Sequence, residues 1–338
     1  NNAPRLDYSK GSEAFLLEPQ STNLLSYSEL FSDASWNKNN VSIVANQIIS
    51  PDGTLNADKM TSTGTTSFAF VPTSSLSGDY TLSFYAKKGT SDFVWIYLNG
   101  YNVIVNLSNG TYVTSISNAP DSYLISNVGN NWYRISVTET SPSTDSVSGI
   151  GVANSSGFNG VVGEYIYIWG AQLEQNSYPT SYIPTSGASA TRNQELCANA
   201  TPVINSEEGT LYAEISALAD DQTNRIISLS DGTGNNQVLI LYQLGSNILR
   251  VGFQVANQTD IVIDVNTNTT LISKIAVNYN STSVKLYLNG SKVGETSTGY
   301  TFSSNVLDNL SFSYGSGILP FFGNTKDLKY YPKALADV

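Results

Sequence analysis

The chain has 338 residues, 40% of them hydrophobic and only 13% charged, so it can fill two cores of ordinary domain size while carrying about half the usual charge. Sixteen Lys and Arg against 27 Asp and Glu give a formal charge of −11, which argues against nucleic acid as a partner and against an anionic membrane surface. With no histidine and one cysteine, Cys197, the sequence excludes Ser-His-Asp and Cys-His catalysis, His- or Cys-based metal sites and an intrachain disulfide.

Period-two alternation dominates in chain order, and no long helical pattern occurs. "SYSELFSDASW" (26–36) reads as one or two helix-like turns before Trp36, itself a candidate core plug. Strands are predicted over 80–88, 92–100, 101–107, 132–139 and 164–174, with turn signals at Asn99-Gly100, Asn109-Gly110 and Gly129-Asn130-Asn131. Further strands are predicted over 209–218, 224–232, 237–245, 248–255, 260–265, 274–280, 283–290 and 326–332. Asn-Gly recurs in "WIYLNGYNVIV" and "KLYLNGSKVGE", where both residues suit a type I′ hairpin because both tolerate positive φ. Many short strands at regular spacing predict an all-β protein of two consecutive antiparallel β-sandwich (jelly-roll) domains. No apolar run reaches the roughly 20 residues of a membrane-spanning helix. The opening "NNAPRLDYSK" has neither an initiator Met nor a signal-peptide pattern, so the chain reads as a piece of a longer polypeptide.

The stretch 165–193 begins as a strand and then breaks at Pro179, Pro184 and Gly187. A flexible linker would be poor in apolar groups, yet this one keeps Leu173, Tyr178, Tyr182 and Ile183. It is expected to lie packed on a domain surface, as a fixed seam that Pro179 and Pro184 stiffen. The boundary falls near 187–196, giving domains 1–190, with an N-terminal extended segment, and 191–338.

"PRLDYSKGSEAFLLEPQSTNLLSYSELFSDASW", "SPDGTLNADKMT", "YTLSFYAKKG", "NWYRISVT" and "IWGAQLEQNSYPTSYIPTSGASATR" occur in that order across residues 4–192. Together they resemble a carbohydrate-binding-module-like jelly roll of bacteriophage tail-fibre and head-fibre proteins. "EGTLYAEIS", "RIISLSDG", "KIAVNYNSTSVKLYLNG" and "FFGNTKDLKYYPKALAD", within 208–337, resemble the concanavalin A-like (laminin G-like) sandwich that often follows it. The resemblance implies a virion-surface or extracellular location, host-surface glycans and other virion proteins as partners, and a homotrimer. It supplies no ligand residues.

A glycosidase could still work with two carboxylates, but the Glu-x-Asp spacing of concanavalin-like glycosidases is absent from the sequence. In "TDIVIDV", Asp260 and Asp264 share a face opposite Ile261, Ile263 and Val265, the pattern of a half-buried strand with a wet side. Asp231, Asn235 and Asn236 in "SLSDGTGNNQ" could ligate Ca²⁺ through oxygens or simply build a hairpin turn. No cofactor is otherwise expected, nor enzymatic activity.

Two strands carry aromatics on one face and aliphatics on the other. Phe93, Trp95 and Tyr97 alternate with Val94, Ile96 and Leu98, and Tyr165, Tyr167 and Trp169 alternate with Ile166 and Ile168. A sandwich strand usually has one wet face, so the aromatic face needs its own covering: a stacked sugar, a neighbouring protomer, or an overlying segment such as 1–30 or 175–190. Tyr and Trp suit sugars because a flat apolar ring meets the C–H face while the polar tip hydrogen-bonds hydroxyls. The candidate glycan-binding residues are Trp95, Tyr97, Tyr165, Tyr167, Trp169, Tyr85 and Arg134, with Trp132 beside them. In the second half, Val284, Leu286 and Leu288 are expected to face a core, with Lys285, Tyr287 and Asn289 outward. The leading function is a non-enzymatic phage fibre adhering to host glycans; the alternative is a set of glycan-binding modules from a secreted polysaccharide-active enzyme or adhesin, and a purely structural spike without ligand affinity is a third reading.

Overall fold

The computed structural model describes residues 5–8, 11–73, 76–140, 147–197, 201–243, 245–297 and 301–336. The chain is all-β and divides into two compact units, Gln20–Asn193 and the combination of the first 19 residues with Gln194–Val338. Among the described residues every paired strand is antiparallel, and no helix is long and apolar enough to cross a membrane.

The Gln20–Asn193 unit stacks two six-stranded sheets. One, hereafter the Trp95 sheet, runs Thr111–Thr114, Tyr101–Asn106, Phe93–Leu98, Val147–Ala153, Ser67–Pro72 and Asn37–Asn39. The other, the Trp169 sheet, runs Ser122–Asn127, Trp132–Glu139, Tyr80–Lys88, Tyr165–Glu174, Leu55–Ser62 and Val41–Ile49. Alternation decides the packing: Val94, Ile96 and Leu98 meet Leu82, Phe84, Ile166 and Ile168 in the core, which sends the intervening aromatics outward. Trp36 plugs this core, its ring 4.8 Å from Phe31 and 6.0 Å from Phe84, while its indole N–H donates to the Tyr27 carbonyl at 2.9 Å.

The helix-like turns expected before Trp36 are present but do not join into a helix. Residues 30–36 make two successive turns, with Asp33 N–H bonded to Leu30 O and Trp36 N–H to Asp33 O. Buried Asp58 takes the Phe31 N–H into its own carboxylate at 3.1 Å, removing a donor from any helical pattern.

In the other unit, a seven-stranded sheet runs Arg5–Asp7, Ala14–Leu17, Gly323–Tyr331, Gly209–Ala217, Ser273–Tyr279, Ser283–Leu288 and Ser291–Ser297. It faces a five-stranded sheet, Ile261–Asn266, Ile248–Gln254, Gln237–Gln243, Asn224–Ser230 and Asn309–Ser311, across a core that includes Leu211, Ile240, Phe253, Val277, Val284 and Leu286. Leu288 packs against this core, and Asn289 is exposed. Asn99-Gly100 and Asn289-Gly290 have positive φ at both residues, as a type I′ turn requires.

The N-terminal segment, expected with the first sandwich, pairs elsewhere: Phe15, Leu16 and Leu17 lie opposite Thr325, Asn324 and Gly323. Arg5 secures it by bridging Glu18 and Glu195, and Asp7 accepts from Asn324 at 2.6 Å. A short, partly apolar segment gains ladder hydrogen bonds by extending a sheet edge, and it covers that edge in return.

Candidate functional site

The seven candidate residues do not share one face. Trp95 and Tyr97 project from the outer side of the Trp95 sheet, whereas Tyr85, Arg134, Tyr165, Tyr167 and Trp169 project from the outer side of the Trp169 sheet. The two aromatic strands belong to opposite sheets of one sandwich, so their similar patterns point in opposite directions.

Trp95 is only 3% exposed. Phe158 lies 4.5 Å from it, Phe68 5.1 Å and Tyr97 5.8 Å, forming a small apolar cluster with Phe93, Ile104, Val113 and Ala153. Gly151 sits opposite Trp95 in the ladder, and a Cβ there would run into the indole nitrogen. The glycine therefore lets the indole lie flat on the sheet. The indole N–H has no hydrogen-bond partner among the described residues.

The Trp169 sheet carries a second cluster outside: Ala57, Tyr85, Trp132 and Trp169, flanked by Ile48, Tyr167 and Tyr182. Two pieces of chain cover it. The first is Tyr182, from the seam, 4.6 Å from Trp169 and 6.1 Å from Tyr85. The second is the hairpin of Val41–Ile49 and Leu55–Ser62. In strand order it lies four spacings from Trp132, about 19 Å on a flat sheet, yet Trp132 Nε1 donates to Ile49 O at 3.2 Å. The hairpin must curl over the face, and the register break around Asn46, which has φ 57°, supplies the bend. Tyr85 and Trp169 are thus roofed by the chain itself, at 9% and 3% exposure.

The seam is fixed by buried polar groups. Glu174 accepts from Ser21 Oγ at 2.6 Å, from Thr180 N–H at 3.1 Å and from the Thr180 hydroxyl. Gln172 accepts from Ile183 N–H at 2.6 Å, and its amide donates to Thr180 O at 3.3 Å. Asn23 donates to Ala171 O and Ile183 O, at 3.0 and 2.9 Å. Sequence reasoning missed this buckle; its signal was Gln172 and Glu174 continuing a strand whose other outward residues are aromatic.

Beside the roofed cluster one row stays partly open. The ladder aligns Trp132, Lys87, Tyr167, Lys59 and Val44 across five strands. Tyr165 lies next along its strand, its ring 5.4 Å from that of Tyr167 in an edge-on arrangement, with Lys59 Nζ 4.0 Å above it. Tyr165, Tyr167, Lys59 and Lys87 are all half-buried. Arg134 lies one row away, 5.5 Å over the Tyr85 ring, and donates to Ser83 Oγ at 3.0 Å. Rings and cations at adjacent positions can stack a sugar face and bond its oxygens.

In the other unit, Asp264 holds Arg250 through two 2.7 Å bonds and Asp260 accepts from Gln254 at 2.7 Å. Both Asp231 oxygens are taken within its turn, by Thr233 and Asn236. Among the described residues no three His, Cys, Asp or Glu cluster as a metal site.

Residues 189–337 match the Laminin_G_3 family, described as the Concanavalin A-like lectin/glucanases superfamily. The match falls almost wholly within Gln194–Val338, the stretch that supplies most of the seven- and five-stranded sandwich. Among solved structures, the chain is similar to the CBM40 of the Ruminococcus gnavus IT-sialidase at 15% identity and TM-score 0.34, covering 39% of this chain and 79% of that one. A heptameric SAP-like pentraxin from Limulus polyphemus matches at 16% identity and TM-score 0.33, over 40% and 69% of the two chains. Domains LG4-5 of the mouse laminin α1 chain match at 9% identity and TM-score 0.31, over 98% and 90%. A search of curated proteins found no match.

Proposed function

We propose that this is a non-enzymatic, glycan-binding surface protein that contacts sugar through the open row of the Trp169 sheet. The observation that carries the reading is the Tyr165–Tyr167 pair, half-buried beside Lys59 on a face whose remaining aromatics are already roofed. Two tyrosines left at the margin of a closed cluster offer a sugar both an apolar ring and a hydroxyl. The family match over 189–337, to a superfamily of lectins and glucanases, supports a carbohydrate-directed role for the whole.

The biological setting we favour is a phage fibre on the virion surface, homotrimeric and held by other virion proteins, adhering to host-surface glycans. The fibre-like order of motifs across 4–192 and the charge-poor, hydroxyl-rich composition support it. A secreted polysaccharide-active enzyme carrying these units as binding modules is the second reading, favoured by the glucanase side of the matched superfamily.

A glycan array of wild type against Tyr165→Ala/Tyr167→Ala, with unfolding of both compared, tests the site. Loss of signal in a variant that still unfolds like wild type is expected. Equal signals from the two proteins would remove this face as the contact. A light-scattering mass of three chains is expected for the fibre; a single-chain mass at micromolar concentration would contradict it.

A further inference from the structure

We propose that the sugar taken by the open row is acidic, a carboxylate-bearing glycan held by Lys59 and Lys87; this rests on the glycan-binding reading above. The argument is one of charge placement. Residues 20–193 contain eleven Asp and Glu but only six basic residues, Lys38, Lys59, Lys87, Lys88, Arg134 and Arg192. Three of those six, Lys59, Lys87 and Arg134, stand on one face of one sheet.

Among the described residues none of the three is matched by a carboxylate. Lys88, which points the other way at the strand end, pairs with Asp92, and Lys38 caps the carbonyls of Ser32 and Asp33. The ammonium of Lys59 lies over the Tyr165 ring, and Arg134 reaches only a ring and a serine hydroxyl. The one carboxylate on the outer face of the two central strands, Glu174, is buried at the far end, clamped by Ser21 and Thr180. The acids on the covering segments bond neutral donors and not these cations: Glu29 takes Asn56 and Tyr182, Asp52 takes Ser50 and Thr54, and Asp58 takes the Phe31 and Asn46 N–H groups. In a chain of charge −11, an aromatic row with unneutralised cations is a local reversal of sign that attracts anions.

Geometry narrows the anion. In the row Trp132, Lys87, Tyr167, Lys59 a ring alternates with a cation at each strand spacing, which puts the Cα atoms of the two lysines about 10 Å apart with Tyr167 between them, within reach of one oligosaccharide. A lone small anion would use one ammonium and leave the ring unused. An acidic oligosaccharide uses all three, its C–H face on Tyr167 and its carboxylates on the flanking lysines.

The test is an array carrying sialylated, uronate-containing and neutral glycans, read at low and high sodium chloride. Wild type is compared with Lys59→Gln/Lys87→Gln and with Tyr165→Ala/Tyr167→Ala, and single-stranded DNA serves as a generic polyanion. Signals confined to acidic glycans, falling at least tenfold in the lysine variant and weakening with salt, are expected. Equal binding to neutral glycans, unchanged in the lysine variant but lost in the tyrosine variant, would overturn the acidic assignment and leave the glycan reading standing. No signal on any glycan would overturn both, and DNA binding as tight as glycan binding would show an unspecific anion surface. Both lysines are half-exposed, so the variant keeps its core, and a matching unfolding midpoint confirms that.

Discussion

The ring of Tyr182 lies 4.6 Å from that of Trp169, and its hydroxyl sits 2.6 Å from Ser28 Oγ and 2.9 Å from Glu29 Oε1. One side chain therefore seals the aromatic cluster and ties the seam to the turns at the start of the unit. Burial pushes its phenol well above the ordinary range, so it stays neutral and able to donate. Tyr182→Ala should destabilise the unit by about 2–4 kcal/mol and expose Trp169, with a red-shifted tryptophan emission. Tyr182→Phe should keep the emission and lose about 1 kcal/mol. An alanine variant as stable as wild type, measured by urea unfolding, would show that the seam is not part of the cluster.

Glu174 is fully buried among donors. Glu174→Ala leaves Ser21 and Thr180 without their acceptor, at about 2–4 kcal/mol. The measurable consequence is proteolysis: cleavage between 175 and 190 should begin in the variant under conditions where wild type survives. Identical digestion would mean that Gln172 and Asn23 hold the seam alone.

Burial pushes the carboxyl of Asp58 up to about 6, against the hydrogen bonds from Asn46 and Phe31 that favour its charged form. A carboxyl with a higher pKa folded than unfolded binds its proton more tightly in the folded state. Its contribution to stability is then greatest below about pH 4 and is lost as pH rises to about 6. Relative to Asp58→Asn, wild type should lose up to about 2–3 kcal/mol between about pH 4 and pH 7. A difference between the two proteins that stays flat across that range would refute the assignment.

Gly151→Ala places a methyl group against the Trp95 indole and the Ser67 carbonyl. The carbonyl belongs to a paired strand and cannot swing aside, so a loss of about 2–4 kcal/mol is expected. Thermal unfolding checks it: a midpoint within a degree or so of wild type would show that the sheet yields there at little cost.

Strand positions were legible because alternation is a local property. Trp132–Glu139 and Tyr80–Lys88 coincide with the predicted ranges, as do both positive-φ Asn-Gly turns. The destination of Phe15–Leu17 was not legible, because edge pairing with residues 323–325 depends on a partner more than 300 residues away. The candidate site divides along the same line. Which residues of Phe93–Leu98 and Tyr165–Glu174 face outward followed from period two, but whether those strands share a sheet is a question of strand order. The roof over Trp169 needs Tyr182 and the curled hairpin near Ile49, neither of which alternation can place. The unmatched lysines were invisible for the converse reason: a missing carboxylate partner shows only when the neighbouring strands are known.

The most direct test of the account is carbene footprinting of the intact chain with and without an acidic glycan found to bind it. The account predicts protection at Tyr165, Tyr167, Lys59 and Lys87, with Tyr97 of the opposite sheet and Phe158, which packs against it, unchanged. Protection confined to Phe158 and Tyr97, or to residues 194–338, would place the contact elsewhere and contradict it.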